Sequence, residues 1–113
     1  MNSSYGLTAS MDCAHHLMGA GICEQPHGHT YQVEVQLTGL GPTDSRDRAQ
    51  SALKTALGRF DHQDLNRHFD FPSAENLAIE LARILEGLEP GIQWVRVWEG
   101  FGSWAEATLS DLE

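Results

Sequence analysis

The sequence predicts one α+β domain over residues 1–113. Two strands precede a pair of helices along the chain, and two more strands follow it. Its 113 residues and 41% hydrophobic content suit a single globular core. Apolar residues alternate with polar ones near both ends, which is typical of half-buried strands, whereas in the middle they recur every three or four residues, as in helices. The predicted order is therefore strand, strand, helix, helix, strand, strand.

The first two strands are predicted from alternation. Every second residue from Tyr5 to Cys13 is apolar or small, and the same period from Tyr31 to Leu37 is cleaner because Gln32, Glu34 and Gln36 separate the apolar positions. Between these strands, Met18 to Pro26 form a loop with glycines that contains Cys23. We interpret Cys13, within a strand, as a buried thiol.

Two amphipathic helices follow. The first is predicted after Pro42, with Thr43 or Asp44 as the N-terminal cap, and its apolar positions are Ala49, Ala52, Leu53, Ala56, Leu57 and Phe60. Pro72-Ser73 opens the second, with Gly87 as its stop and with apolar positions Leu77, Leu81, Ile84, Leu85 and Leu88. The connection between the helices, residues 61–71, is polar.

The last two strands are predicted from Ile92 to Glu99 and from Trp104 to Leu109, around a turn at residues 100–103. The expected architecture is a four-stranded antiparallel sheet with two helices on one face. Its open edges must be covered or must pair with another copy. We therefore expect a homo-oligomer.

Charge and composition exclude some partners. Seven Lys and Arg against sixteen Asp and Glu give a net charge of −9, which is repelled by phosphate backbones and anionic lipids. The sequence has no run of 18 apolar residues and no signal-peptide pattern, so we expect a cytoplasmic protein that binds neither nucleic acid nor membrane. Two cysteines are too few for a disulfide framework.

Three histidines form a candidate metal site. His27 and His29 flank a glycine just before the second strand, and residues two apart on a strand point to the same face. His15 ends the first strand and would add a third imidazole if the two strands pair, whereas His16 would face away. Three nitrogen ligands with an open fourth position are typical of catalytic zinc. The alternative is surface polarity at a strand end.

Four further residues could carry chemistry. Cys23 lies four residues before His27 and could be a reactive thiolate or a small buried apolar residue. Asp61 and His62 could form a proton-transfer pair or simple helix-end polarity. Glu99 could lie at an exposed strand end or bind a ligand rich in hydrogen-bond donors.

Five segments together resemble the 6-pyruvoyltetrahydropterin synthase and 6-carboxytetrahydropterin synthase family. They are Ala14 to Leu17, Cys23 to Tyr31, Phe60 to Asn66, Pro72 to Ala78 and Val95 to Glu99. The resemblance covers most of the chain and implies the tunnelling fold (T-fold), in which subunits join their sheets into a barrel, here a hexamer. Open sheet edges would then be closed by symmetry.

The resemblance also implies a role for each candidate residue. His15, His27 and His29 match the zinc ligands, Cys23 the proton-abstracting thiol, Asp61 and His62 a catalytic pair supplied by a neighbouring subunit, and Glu99 the carboxylate that anchors the pterin ring. Zinc would chelate the hydroxyls of the substrate side chain. The substrate would be a reduced pterin.

The spacing Cys-x-x-x-His-Gly-His resembles the 6-carboxy-5,6,7,8-tetrahydropterin synthase branch. That branch converts 7,8-dihydroneopterin triphosphate on the route to 7-deazaguanine nucleosides such as queuosine. Two alternatives stay open: a 6-pyruvoyltetrahydropterin synthase-like or side-chain-cleaving paralogue on another reduced pterin, and a non-catalytic zinc- or pterin-binding module.

The sequence departs from the family pattern at three points. Residues 39–45 replace a longer stretch before the first helix, and Gly100 follows Glu99 where Thr is usual. The third departure is electrostatic, because a triphosphate needs local cations and the chain has only one lysine and six arginines. These departures bear on which pterin the site accepts.

Overall fold

The computed structural model describes residues 4–38, 43–89, 91–100 and 102–109. Four antiparallel strands form one sheet in the order β1-β2-β3-β4. The strands are β1 (Ser4–His15), β2 (His27–Thr38), β3 (Ile92–Glu99) and β4 (Ser103–Thr108), and the helices are α1 (Thr43–Leu57) and α2 (Ala74–Leu88). The predicted element order and the α+β fold class are confirmed.

The first hairpin is longer than the alternation predicts. β1 continues to His15 and β2 begins at His27, so that His15 pairs with His27 and Cys13 with His29. Backbone pairing does not require apolar side chains, and the ladder therefore continues through the histidines. The hairpin thus brings the histidines to one end of the sheet.

The core lies between the helices and one face of the sheet. The inward residues Val33, Val35, Val95 and Val97 are completely buried, as are the α2 residues Leu77, Leu81 and Leu85. Burying these side chains is the main favourable term for the fold, at roughly 1.5 to 3 kcal/mol for each large one. This packing fixes the strand ends that carry the candidate site.

The helix boundaries differ slightly from the prediction. α2 is capped by the Ser73 side chain, which accepts a hydrogen bond from the Asn76 amide, as Pro72-Ser73 predicts. It extends one residue past Gly87 to Leu88, and α1 ends at Leu57 although Phe60 remains buried. Gly39 to Pro42 and the side chains of the predicted caps Thr43 and Asp44 lie outside what the structure describes.

The opposite face of the sheet is polar and aromatic. Arg96 pairs with Glu106 at 2.6 Å and with Glu34 at 3.8 Å, while the rings of Trp98 and Trp104 stack at 4.7 Å. Neither α1 nor α2 has the length and apolar character that crossing a lipid bilayer would require.

A short segment covers part of the free edge of β1. The Ala14 amide donates to the Gln63 carbonyl at 3.1 Å, and the His62 amide donates to the Asp12 carbonyl at 2.7 Å. The connection between the helices is therefore partly ordered by the sheet, and it contains a 3-10 turn (Leu65–Arg67) with a buried Leu65.

Candidate active site

Three histidines, which we call the histidine cluster (His15, His27 and His29), lie together at the end of the β1–β2 hairpin. Their ring centroids are 4.5 to 4.9 Å apart, and one nitrogen from each lies within 4.8 Å of the others. His15 is 1% exposed. The strand register therefore brings together the three imidazoles that the sequence singles out.

Backbone carbonyls orient two of these rings. His15 Nδ1 is 2.8 Å from the Pro72 carbonyl, and His27 Nδ1 is 2.7 Å from the Gln25 carbonyl. A carbonyl oxygen only accepts, so each Nδ1 carries the hydrogen and donates it. Each Nε2 is then left with a lone pair, which is the state that a metal ligand requires.

Two nitrogens of the histidine cluster are buried without a hydrogen-bond partner, Nε2 of His15 and Nε2 of His29. Burial lowers the pKa of His29, and the nearby Glu99 carboxylate partly opposes this shift. Buried polar atoms are normally paired, so two buried nitrogens without a hydrogen-bond partner in one cluster favour a bound cation. The three imidazoles fit zinc, which accepts neutral nitrogen ligands.

Glu99 lies beside the histidine cluster at the end of β3. It shares the inward face with Val95 and Val97, pairs with Tyr31 in the sheet, and is 24% exposed at its side chain. Its Oε2 is 3.7 Å from His29 Nε2. A carboxylate that is half-buried yet reachable can accept hydrogen bonds from a ligand that enters next to the histidines.

Asp61 and His62 lie on the segment that runs along the edge of β1, and we call them the Asp61–His62 pair. Asp61 Oδ2 is 3.0 Å from His62 Nδ1, and Asp61 Oδ1 accepts from the Asp12 amide at 2.9 Å. The amide hydrogen bond, with help from His62, lowers the pKa of Asp61. The ionised carboxylate therefore orients an imidazole that is 78% exposed.

His62 has an unusual backbone conformation. Its φ is +62°, in the left-handed region that residues other than glycine rarely adopt. Its amide donates a hydrogen bond to the Asp12 carbonyl at 2.7 Å, which holds this backbone conformation. Strain of this kind is often found at functional positions.

An open depression of about 530 Å³ lies where the β1–β2 hairpin meets the Asp61–His62 segment, and both His29 and His62 line it. Its lining also includes the carboxylates Asp12 and Asp64, and among its described residues there is no lysine or arginine. Two groups of potential metal-ligand atoms lie in this region. One is the histidine cluster, and the other consists of the Asp61–His62 pair and Asp12.

The two cysteines differ in environment, and both are free thiols. Cys13 is buried, its thiol donates to the Phe60 carbonyl at 3.1 Å, and burial raises its pKa to about 11. Cys23 is half-buried on a 3-10 turn (Gly21–Glu24), and its carbonyl accepts from the Leu17 amide at 2.7 Å. Positive φ values at Gly19 and Gly21 allow the chain to turn here.

Sequence reasoning overlooked three contributors to this region: Tyr31, Pro72 and Asn66. The Asn66 side chain accepts from the His16 amide at 2.9 Å and donates to the His16 carbonyl at 3.1 Å. His16 is thus held away from the histidine cluster, as its position next to His15 predicts. Tyr31 shares a strand face with His29, a signal that could have linked it to the site.

Comparisons with known proteins agree with this architecture. Residues 7–109 match the family model described as 6-pyruvoyl tetrahydropterin synthase. The chain is 29% identical over 105 residues to a protein of Archaeoglobus fulgidus provisionally named 6-carboxy-5,6,7,8-tetrahydropterin synthase, covering 89% of this chain and 91% of that one. It is also 29% identical over 98 residues to the dihydroneopterin monophosphate aldolase of Pyrococcus furiosus, covering 81% and 85%.

A solved structure has the same fold. The 6-pyruvoyl tetrahydropterin synthase of Caenorhabditis elegans superimposes with a TM-score of 0.85 at 19% identity, covering 96% of each chain. Four antiparallel strands, two helices and the match over residues 7–109 lead to one conclusion. The chain belongs to the 6-pyruvoyl tetrahydropterin synthase family.

Proposed function

We propose that this protein is a zinc-dependent lyase of the 6-carboxy-5,6,7,8-tetrahydropterin synthase type. Its substrate would be 7,8-dihydroneopterin triphosphate, on the route to 7-deazaguanine nucleosides such as queuosine. The observation that carries the proposal is the histidine cluster, whose ligand atoms lie within 4.8 Å of one another. The two free thiols support a reducing compartment, the cytoplasm.

His15, His27 and His29 would hold the zinc. When bound, zinc acts as a Lewis acid that polarises the hydroxyls of the pterin side chain and acidifies the adjacent C–H bond. The buried, unpartnered Nε2 atoms of His15 and His29 support this assignment. Three protein ligands leave a coordination position for substrate, as catalytic sites require.

Cys23, as a thiolate, would remove the side-chain proton, and His62 would carry a second proton. Asp61 keeps its charge because an amide hydrogen bond lowers its pKa, and it therefore stabilises a protonated His62. The exposed His62 imidazole supports a role in exchange with a substrate rather than in packing.

Glu99 would recognise the pterin ring. A carboxylate can accept from a ring N–H and an exocyclic amine in a paired, charge-assisted arrangement. The 3.7 Å between Glu99 and His29 supports a bound ring whose side chain extends toward the histidine cluster. Such an arrangement would orient the hydroxyls of the substrate.

The complete site would form in a homo-oligomer, a hexamer by family resemblance, with the Asp61–His62 pair acting on the histidine cluster of a neighbouring subunit. The exposure of the His62 imidazole, 78% at its side chain, supports this view, because a neighbouring subunit can reach it. Mixing His29→Ala chains with His62→Ala chains during refolding should restore activity that neither variant has alone. Failure of the mixture, with both variants folded and co-assembled, would instead favour a site within one chain.

A second candidate is cleavage of the side chain of a less highly phosphorylated dihydroneopterin. It is favoured by the similarity to the dihydroneopterin monophosphate aldolase, which is as high as that to the other relative. The described residues lining the depression also favour it, because Asp12 and Asp64 would repel a triphosphate.

One experiment distinguishes them. The zinc-loaded protein is incubated with 7,8-dihydroneopterin triphosphate and, separately, with the monophosphate, and the products are identified by mass spectrometry. A 6-carboxytetrahydropterin from the triphosphate supports the first proposal. A dihydropterin that keeps one side-chain carbon as a hydroxymethyl group, with release of a two-carbon aldehyde phosphate, supports the second. No turnover of either substrate by the wild-type protein would favour the binding module.

A further inference from the structure

Tyr31 is a buried polar residue that the proposed chemistry does not use. It is 0% exposed, and its hydroxyl oxygen lies 3.2 Å from His15 Nδ1. That nitrogen is also 2.8 Å from the Pro72 carbonyl. Two oxygens therefore converge on one ring nitrogen of a potential metal ligand.

The geometry determines which way the hydrogen points. The Pro72 carbonyl cannot donate, and two acceptors 2.8 Å apart would repel each other, so His15 Nδ1 must carry the hydrogen. The same N–H then also donates to the Tyr31 hydroxyl oxygen, at the longer distance of 3.2 Å.

The ring of Tyr31 also supports the histidine cluster from behind. It meets His15 edge to face at 6.0 Å and 90°, and it meets His29 at 5.4 Å and 64°. Tyr31 pairs with Glu99 in the sheet, so its own position is fixed by the β2–β3 ladder. One rigid side chain thus contacts two of the three imidazoles.

We propose that Tyr31 is a positioning residue for the metal site: its hydroxyl, with the Pro72 carbonyl, holds His15 with Nε2 free to bind a cation, and its ring fixes His15 relative to His29. This inference rests on the proposed zinc site. Groups that hold the far nitrogen of a ligating histidine typically change metal affinity by about 10- to 100-fold when removed. Since the Pro72 carbonyl remains, we expect the lower end of that range.

The test compares two single-hydroxyl deletions, Tyr31→Phe and Tyr5→Phe. Tyr5 lies on the inward face of β1, remote in register from the histidines, and it makes a suitable control. Zinc affinity is measured by chelator competition, and the visible spectrum of the cobalt-substituted protein reports ligand geometry. The melting temperature of the metal-free protein separates a metal effect from a loss of folding.

We expect Tyr31→Phe to weaken zinc binding about 10-fold and to shift the cobalt spectrum, with a metal-free melting temperature close to that of the wild type. Tyr5→Phe should change neither affinity nor spectrum. Wild-type zinc affinity and an unchanged cobalt spectrum in Tyr31→Phe would overturn the inference while leaving the zinc site intact. If the wild-type protein itself bound no zinc, both this inference and the proposed function would be wrong.

Discussion

The histidine cluster and the Asp61–His62 pair contain the same kind of side chain in opposite environments. His15 is 1% exposed and its neighbours belong to paired strands, whereas His62 is 78% exposed on a segment attached to the edge of β1. Backbone carbonyls orient the His15 and His27 rings, whereas a carboxylate orients the His62 ring. The difference lies in the surroundings and not in the residue type.

These surroundings favour different chemistry. Burial lowers the pKa of His29 and favours the neutral imidazole, which suits a metal ligand. Beside His62, the pKa of Asp61 is lowered, so the carboxylate stays ionised and can stabilise a protonated ring. The histidine cluster is thus adapted to hold a cation, and the exposed Asp61–His62 pair to exchange protons.

The largest expected effect comes from removing Cys23, the thiol proposed to abstract the proton from the substrate held by the histidine cluster. Cys23→Ala should reduce turnover by about 10²- to 10⁴-fold, the usual contribution of a general base, while zinc content stays at the wild-type level. Cys13→Ala is the matched control, and it should retain turnover while losing about 1 kcal/mol of stability, since it removes the hydrogen bond to Phe60.

Alkylation at pH 8 adds an independent readout of the two thiols. Cys13 has a pKa of about 11 and stays protonated at that pH, so we expect iodoacetamide to modify Cys23 faster than Cys13 in the folded protein. Equal alkylation rates, or full activity in Cys23→Ala, would contradict the role given to Cys23.

A smaller effect is expected at Glu99, which adjoins the buried cluster. Glu99→Gln should weaken pterin binding by about 10- to 100-fold, or about 1.5 to 3 kcal/mol, because ring donors lose a charged acceptor. The melting temperature should stay the same or rise slightly, since a half-buried charge is removed. Glu86→Gln, at an exposed position on α2, is the control. Unchanged pterin affinity in Glu99→Gln together with a collapsed melting temperature would show that Glu99 is structural.

The smallest effect concerns the pH dependence of stability at the exposed pair. Asp61 has a native pKa below its usual 3.8, so its ionised form stabilises the fold above that pH, and this contribution is lost as the pH falls through the lowered value. Asp61→Asn should therefore lower the melting temperature at pH 6, and the difference should shrink below pH 3.8. Asp70→Asn, at an exposed carboxylate elsewhere in the chain, is the matched control for the loss of one negative charge.

The sequence predicts the fold because apolar periodicity is strong in both hairpins and both helices. It also predicts that His15 joins His27 and His29, since a hairpin determines which residues face each other. The Pro72 carbonyl and the covered edge of β1 could not be predicted, because backbone groups carry no side-chain signal and contact residues distant in sequence. Apolar alternation explains Tyr31 only as a core residue, and its shared strand face with His29 is the one sequence signal that links it to the site.

The most direct test measures zinc content and turnover on the same samples of the wild-type, His29→Ala and His62→Ala proteins. We predict about one zinc per chain in the wild type and in His62→Ala, and no stoichiometric zinc in His29→Ala, with turnover only in the wild type. His68→Ala, an exposed histidine outside both groups, should match the wild type in both measurements. Full zinc retention in His29→Ala, or loss of zinc in a folded His62→Ala, would contradict the assignment of metal binding to the buried cluster and proton transfer to the exposed pair.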